Sequence, residues 1–247
     1  MIETLQAIVL NCIRHSDRAS VMTVYTPTRA CLPLIVPAGS SARSRTKASV
    51  RMPLALVEFN CNIKPGAGLL RPSALTLRAP YTSLYFNPVK SASGMFIAEF
   101  LTRLLRDTPP DPQLFAYIEG SLRLLDSLPG SGSGSIANFH LTFLSALTSL
   151  LGIAPDISTY SPGRIFDMRA GLYTSLHPGH PDVLMGMEAT LPLTLSRLNY
   201  SNMHRLRLSR QQRRSLLDGL LKYYAIHLPA TGSLRSPHVL EAVFDAV

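Results

Sequence analysis

The sequence predicts an α+β protein in which a five-stranded sheet comes first and an α-helical bundle follows. Between residues 3 and 80, short segments rich in β-branched residues are separated by turn residues. From Pro88 onward, apolar residues recur three and four positions apart, which is the spacing of one face of a helix. Strands and helices do not alternate, so the order argues against βαβ units. We expect two domains, residues 1–82 and 83–247.

Five strands are predicted in the first domain, each bounded by turn residues. In the fourth strand, Val57, Phe59 and Cys61 alternate with polar residues, which indicates one buried face. Short strands at this close spacing are typical of a small barrel or sandwich. The predicted strands are Gln6–Ile13, Ala19–Tyr25, Cys31–Val36, Leu54–Ile63 and Leu69–Leu77.

Helix start and stop signals mark the second domain. Asp111 followed by proline predicts a helix start, and Ser209 with Gln212 three residues later is a capping-box pattern. Gly152 predicts the end of a strongly apolar middle helix. The segment 154–188 contains several prolines and glycines and is predicted to be an irregular insert. Other predicted helix starts are Ser91 or Ser93 and Ser236.

Positive charge is concentrated in the first third of the chain. The protein carries a formal net charge of +9 over 247 residues. Residues 1–80 hold ten lysines and arginines against three acids, whereas the remainder holds 14 against 12. This imbalance favours nucleic acids or acidic surfaces as partners, because each cation that meets a phosphate displaces a condensed counterion.

The densest basic segment runs from Ser40 to Arg51, between the third and fourth predicted strands. It has no acidic residue, and Val50 is its one large apolar residue, so it must face water. Such a loop suits a polyanion, although a solvated loop without a ligand has the same composition. Tyr25 and Phe59 could stack on bases, but we favour core packing for both. The predicted DNA-binding residues are Arg14, Arg18, Arg29, Arg43, Arg45, Lys47, Arg51 and Lys64.

A second basic cluster surrounds the start of the long C-terminal helix. Cations at a helix start oppose the macrodipole, so they either serve a ligand or form a solvated face, and both interpretations stay open. His140 lies alone on an apolar helix, which is most often the position of a core or groove histidine. The members of the cluster are Arg205, Arg207, Arg210, Arg213 and Arg214.

The sequence contains no catalytic constellation, so we expect a binding protein and not an enzyme, with no metal and no cofactor. His177 and His180 have metal-like spacing, but a Pro-Gly turn separates them, and a hydrolase using His177, His180 or Asp182 is a third hypothesis. Three widely spaced cysteines fit a reducing compartment. We identify no secretory signal and no membrane-spanning run, and we expect a cytoplasmic protein.

Four sequence segments, in order along nearly the whole chain, resemble the RecO family of recombination mediators. The form with Asn-Phe-His-Leu at residues 138–141 is most similar to the RecO proteins of Bacteroidetes. The segments are Ala7–Leu10 with Ser16-Asp17 and Val21–Thr26, Lys47–Ser49 with Pro53–Glu58, Asn138–Leu141 with Leu151–Asp156, and Leu220–Leu228 with Leu234–Ser236 and Val239–Leu240.

The resemblance implies an OB-fold for the first domain and a partner-binding role for the second. It implies binding to single- and double-stranded DNA, annealing of complementary strands, and work with RecR to help RecA displace single-strand-binding protein (SSB). The acidic tail of SSB would dock on the helical domain, and the protein would be associated with the bacterial nucleoid. A protein adaptor with little DNA binding of its own is the alternative. The candidate residues for the tail or a second basic site are His140, Arg210, Arg213 and Arg214.

The chain departs from the family pattern in two places. Many members carry four zinc-binding cysteines after the Leu-Gly turn, where this chain has Ser158, Tyr160 and Gly171, so the resemblance implies no zinc here. The family's basic loop usually has Lys or Arg where this chain has Pro37, Ser40 and Ala42, and Gln where it has Met52. Fewer cations are therefore left in the loop to bind DNA.

Overall fold

The computed structural model of the protein describes residues 2–38, 48–63, 68–130, 134–232 and 234–245. Four of the predicted DNA-binding residues lie outside the described residues, namely Arg43, Arg45, Lys47 and Lys64. The chain divides into two compact units, Met1–Ser127 and Leu128–Val247. The domain boundary at 82/83 stays a prediction, while the helices that directly follow it belong to the first compact unit.

The first unit is built on a five-stranded antiparallel sheet. Its strands are β1 (Ile2–Arg14), β2 (Ala19–Thr26), β3 (Ala30–Pro37), β4 (Leu56–Asn62) and β5 (Ser73–Ala79). They lie in the order β3-β2-β1-β4-β5. The long strand β1 pairs with β4 through its first half and with β2 through its second half. The α+β class and the five predicted strands are confirmed.

The sheet is not closed into a barrel, which corrects the predicted five-stranded barrel. One parallel bridge, between Leu34 and Leu70, joins β3 to the residues ahead of β5, and the Ile35 N–H donates to the Leu70 carbonyl at 2.8 Å. Beyond this bridge, the edge formed by β3 and the edge formed by β5 are separated by a gap, which we call the seam. Pro37 and Pro72 both line the seam, and proline has no N–H to donate to a strand ladder. The arrangement is compatible with an OB-fold that is open along the seam.

Helix α1 spans Pro88–Leu104 and begins earlier than the predicted serine caps. The prediction of Ser91 or Ser93 as its cap is wrong. Asn87 is the cap, because its side-chain oxygen accepts the N–H groups of the second and third helical residues at 3.0 and 3.1 Å. Pro88 then occupies the first helical position, where its missing N–H costs nothing.

Helix α2 spans Pro112–Ser127 and anchors the chain that leaves the sheet. The predicted cap at Asp111 is confirmed, since its carboxylate accepts two N–H groups of the first turn at 2.8 and 3.1 Å. Near the end of α2, the Asp126 carboxylate accepts the backbone N–H groups of residues 82–84 at 2.7–2.9 Å. The buried Lys90 ammonium donates to the Asp126 carbonyl at 2.7 Å. These bonds fix the linker between the sheet and α1.

Strand β1 is covered on both faces, which explains its nearly continuous apolar run. Ala7, Ile8, Val9 and Leu10 are all buried, although consecutive side chains in a strand point to opposite faces. Ala7 and Val9 belong to the sheet's own core cluster. Helix α1 packs against the strand, and its Thr102 hydroxyl reaches the Leu10 carbonyl at 3.5 Å.

The second unit is mainly helical. Gly152, with φ of +70°, follows the end of the helix Gly134–Leu150, and the predicted capping box at Ser209 opens the helix Arg210–His227. Both predictions are confirmed, as is the start of the last helix at Ser236. No helix in the described part of the chain is long and apolar enough to cross a membrane. The helices are α3 (Gly134–Leu150), α4 (Leu191–Ser196), α5 (Arg210–His227) and α6 (Ser236–Asp245).

The segment 154–188, which we predicted to be irregular, contains a small antiparallel sheet in the order β7-β6-β8. Its strands are β6 (Ile165–Asp167), β7 (Leu172–Thr174) and β8 (Val183–Leu184). Strands of two or three residues are too short to show an alternating pattern, so periodicity could not reveal them. Phe166, Tyr173 and Tyr223 of α5 form the centre of its core, and the Tyr223 hydroxyl donates to the Ile153 carbonyl at 2.8 Å.

Candidate nucleic-acid interface

Three of the predicted DNA-binding residues, Arg14, Arg18 and Arg51, lie at one end of the sheet, which we call the basic end. The turn from β1 to β2 is located there, and it contributes Arg14 and Arg18. Strand β3 ends beside this turn, because Ala19 of β2 pairs with Pro37 of β3. Arg51 reaches the same place, where its Nη1 donates to the Pro37 carbonyl at 3.0 Å.

The backbone of the basic end is held by short local hydrogen bonds. The Ser16 hydroxyl accepts the Ala19 N–H at 3.1 Å and so closes the turn between β1 and β2. The Arg18 carbonyl accepts the Ala38 N–H at 2.9 Å. The Arg18 side chain is exposed. The turn therefore presents its cation on a fixed backbone.

The described residues on both sides of residues 39–47 lie at the basic end. Ala38, on one side of residues 39–47, is bonded to Arg18 as described. Ala48, on the other side, accepts the Arg51 N–H at 3.1 Å. Arg43, Arg45 and Lys47 lie outside the described residues, but both points from which their segment extends are located beside Arg18 and Arg51.

The basic end keeps an excess of positive charge. Arg14 is paired with Asp17 at 2.6 Å, but their side chains are 71% and 95% exposed, so water screens the pair. Burial raises the pKa of the Cys12 thiol, and the nearby charge of Arg51 opposes that shift. The guanidinium of Arg51 thus lies close to β1. The basic end holds the guanidinium groups of Arg14, Arg18 and Arg51, and Asp17 is the one acidic residue of its turn.

Arg29 does not join the basic end. It lies in the turn between β2 and β3, at the opposite end of those strands. Its guanidinium makes two bonds to the Glu3 carboxylate, at 2.6 and 3.2 Å, so its charge is already offset. Tyr25 and Phe59 are fully buried, which confirms that they pack in the core.

A cleft of about 370 Å³ opens at the seam beside the basic end. Sequence reasoning missed it, because its apolar lining comes from three separate segments and no local pattern connects them. Ala74, at its mouth, has a positive φ of +52°, which is uncommon for a residue other than glycine. The lining residues are Val36, Pro37, Val50, Arg51, Pro72, Ala74 and Leu75.

In the second unit, the structure brings His140 and Arg213 together. His140 on α3 is 1% exposed, and burial together with the charge of Arg213 lowers the pKa of its imidazole to about 3. Arg213 is half-buried, and its Nε donates to the Asn138 side chain at 3.3 Å. Asn138 in turn donates to the carbonyls of Met203 and Leu206 at 2.9 and 2.7 Å. This network fastens the chain ahead of α5 to α3.

The other cations of the second cluster lie on the surface. Arg210 and Arg214 are exposed, and Arg214 is 4.0 Å from Asp218 one turn further along α5. Arg214 also lines a groove of about 320 Å³ between α5 and α6. Leu221 and Ala225 contribute apolar surface to this groove. The second cluster is therefore split between the half-buried Arg213, which is bonded to Asn138, and exposed cations, of which Arg214 lines the groove.

The two histidines of the His-x-x-His pattern have different environments. His177 is exposed, and its Nδ1 accepts the N–H of Gly179 within the predicted turn at 3.1 Å. The Nε2 of His180 is 3.3 Å from the Asp167 carboxylate. Asp182, the acid of the hydrolase hypothesis, is paired with Arg169 and Lys222 at 2.8 and 3.0 Å. Among the described residues, no group of three or more His, Cys, Asp and Glu side chains could hold a metal ion.

Comparison with known proteins shows what the chain is similar to. The family model "Recombination protein O C terminal" matches residues 85–236. The DNA repair protein RecO of Bacteroides fragilis is 34% identical over 246 residues, covering 99% of this chain and 100% of that protein. The RecO proteins of Phocaeicola vulgatus and Porphyromonas gingivalis W83 are 34% and 31% identical, with the same coverage of both chains.

Proposed function

The chain belongs to the RecO family of DNA repair proteins, and we propose that it is a recombination mediator that binds single- and double-stranded DNA and anneals complementary strands. With RecR, it helps to load RecA on single strands coated with SSB. The observation that carries the DNA-binding part is the basic end, where Arg14, Arg18 and Arg51 converge beside both flanks of the basic segment. The proposed activity has no bond-making step.

Electrostatics gives the physical reason why such a surface can anneal strands. Two complementary strands repel each other through their phosphates, and cations reduce that repulsion by replacing condensed counterions. Guanidinium groups on a fixed turn can hold a sugar–phosphate chain and leave the bases accessible for pairing. The sequence adds three further cations, Arg43, Arg45 and Lys47, between the described residues Ala38 and Ala48.

The second unit supplies the proposed site for the acidic tail of SSB. The groove between α5 and α6 combines apolar residues such as Leu221 with the cations Arg214 and Lys222, and Asp218 is the one acidic residue among its described lining residues. An acidic peptide with apolar side chains would be complementary to both parts. Arg210 and Arg214 at the exposed end of α5 would contact its carboxylates, whereas the buried His140 would act only through Arg213.

Annealing of SSB-coated strands tests the function directly. Two complementary oligonucleotides are coated with SSB, and duplex formation is followed with and without this protein and RecR across a salt series. We expect this protein to accelerate duplex formation at low salt and the acceleration to fade as salt rises. Acceleration that is absent at every salt concentration would overturn the proposal.

Charge removal in the basic segment tests the interface. In the triple variant Arg43→Gln, Arg45→Gln, Lys47→Gln, three phosphate contacts are removed. The slope of log K against log salt for single-stranded DNA should then fall by about 2. A matched control removes the same charge elsewhere in the first unit, by Arg103→Gln, Arg106→Gln and Arg123→Gln. The control should bind like the wild type, and an equal loss in both triple variants would mean that only net charge matters.

A protein adaptor with little DNA binding is the second candidate. It is favoured by the ion pair of Arg29 with Glu3, which offsets one of the predicted DNA-binding cations. Capture of an SSB tail peptide by a protein that shows no salt-sensitive binding to DNA would support the adaptor. The annealing assay above would then show no acceleration.

A further inference from the structure

We propose that the cleft at the seam holds one unpaired nucleobase of a bound DNA strand while Arg51 binds an adjoining phosphate. The proposal rests on the proposed function and adds a base-binding subsite to a surface that otherwise contacts only sugar and phosphate. The cleft lies where the five-stranded sheet fails to close, directly beside the basic end.

The size and lining of the cleft suit a flat apolar group. Its volume of about 370 Å³ is at the low end of the range for small-molecule sites, so it can take one base but not a duplex. Val36 and Val50 are buried side chains on its floor. Pro37 and Pro72 add two rigid rings from opposite sides of the seam. A base inserted here would remove apolar surface of the cleft from water.

The two prolines also argue against a protein strand as the occupant. Two facing strand edges could bind an extended peptide through main-chain hydrogen bonds, as in β-strand addition. Pro37 on one edge and Pro72 on the other cannot donate such bonds. The positive φ of Ala74 further interrupts the regular edge of β5. A base needs no main-chain ladder, so these features do not disfavour it.

The cleft combines an apolar lining with one cation. This combination is complementary to a nucleotide, which joins a flat base to a charged phosphate. None of its seven described lining residues is acidic, and the one charged member is Arg51. The guanidinium of Arg51 has five N–H donors, and its bond to the Pro37 carbonyl uses one of them. Arg18 lies nearby through the Ala38 bond. The phosphate of the nucleotide whose base is inserted would therefore meet one or two cations.

The subsite would recognise a base without reading its identity. Its lining offers apolar contact and little side-chain hydrogen bonding, so all four bases should be accepted. The inserted base would be held away from its neighbours, which keeps a strand unstacked and ready to pair. Pairing then requires the base to leave the cleft, so strand annealing and release from the cleft would be coupled.

Oligonucleotides with and without bases test the subsite. A thymidine oligonucleotide is compared with an abasic chain of the same length, by fluorescence anisotropy with the full-length protein. We expect the thymidine chain to bind about fivefold tighter, in the lower part of the range for contacts to a single base. The variant Ala74→Asn fills part of the cleft and tolerates the positive φ of this position. It should remove most of this preference and leave the affinity for the abasic chain unchanged.

Ser73→Asn is the matched control. It places the same side chain one residue away, on an exposed residue that does not line the cleft, and it should keep the wild-type preference. As a second measurement, an oligonucleotide carrying 4-thiothymidine is cross-linked by light, and the modified peptides are mapped by mass spectrometry. Cross-links to the segments around Pro37 and Pro72 are expected.

The outcomes separate this proposal from the proposed function. Equal affinity of the wild type for both oligonucleotides, or cross-links confined to other surfaces, would overturn the base subsite and leave DNA binding intact. Equal weakening of both by Ala74→Asn would mean that the cleft contacts only the phosphate chain, which also overturns the subsite. An unchanged preference in Ala74→Asn would overturn it too and leave the seam free for a protein partner. If neither oligonucleotide binds, both proposals fail.

Discussion

At the scale of single residues, ion pairing is what distinguishes the arginines of the first unit from one another. Arg29 faces Glu3, which is 26 positions away in sequence, and the two form a bidentate pair. Arg51 instead contacts a neutral carbonyl and keeps its charge available. Sequence alone could identify these cations but not their partners, because a pair between distant strands depends on the register of the sheet. Arg29 is accordingly a weaker candidate for DNA binding than Arg51.

His140 makes a residue-scale prediction about acid stability. Burial, and then the charge of Arg213, lowers its pKa to about 3, below the value near 6.5 of an unfolded chain. The folded state therefore binds fewer protons than the unfolded state, and stability is lost as the pH falls from 6.5 towards 3. Between pH 7 and pH 4.5 this single group should cost about 2 to 3 kcal/mol of unfolding free energy.

Urea unfolding at pH 7 and pH 4.5 checks the contribution of His140. The variant His140→Gln has no group that titrates in this range, so it should lose less stability on acidification than the wild type. His177→Gln changes a histidine whose ring is in water and should keep the acid-induced loss. An identical acid-induced loss in wild type and His140→Gln would show that His140 contributes nothing.

At the scale of elements, the start of α5 makes the next prediction. Its first turn carries Arg210 and Arg213 and no acidic residue, so its charges oppose the helix dipole. The capping box compensates, since the Ser209 hydroxyl accepts the Gln212 N–H at 3.2 Å and the Gln212 side chain accepts the Ser209 N–H at 2.8 Å. The change Ser209→Ala should lower the unfolding free energy by about 1 kcal/mol.

Thermal unfolding measures the loss of the cap. A destabilisation of this size corresponds to a fall in Tm of about 2–4 °C for a chain of this length. Ser215→Ala, at an exposed position inside α5, is the control and should leave the Tm unchanged or raise it slightly, because alanine favours helix interiors. If the two substitutions had the same effect on Tm, the capping box would not stabilise α5.

The elements that could be predicted are those with strong local signals. The five strands, the capping box at Ser209 and the aspartate cap of α2 follow from patterns within a few residues, and all are present. The small sheet of residues 165–184 and the short helix α4 were missed, because their few residues carry no period. The prediction of a closed barrel was wrong, because closure depends on pairing between the edge strands β3 and β5, which are far apart in sequence.

At the scale of the whole molecule, the five-stranded sheet and helices α1 and α2 belong to one compact unit, and we expect them to depend on each other for stability. Arg78 of β5 makes two bonds to Glu119 of α2, at 2.8 and 2.9 Å. Asp126 accepts the N–H groups of residues 82–84, and the ring of Tyr25 lies 6.2 Å from that of Phe115. The contacts of Arg78, Thr82 and Tyr25 cross the domain boundary predicted after residue 82. The sequence could suggest that boundary from a change of period, but it could not show which helices cover the sheet.

Two fragments of the chain test this interdependence. A fragment of residues 1–127 should unfold cooperatively in urea and give dispersed amide signals in NMR spectra. A fragment of residues 1–82 should do neither, because it lacks the partners of Arg78 and Tyr25 and exposes one face of its sheet. Cooperative unfolding of the shorter fragment with the midpoint of the longer one would mean that the sheet is a domain by itself. In that case α1 and α2 would be dispensable for its stability, and the boundary at residue 82 would be correct.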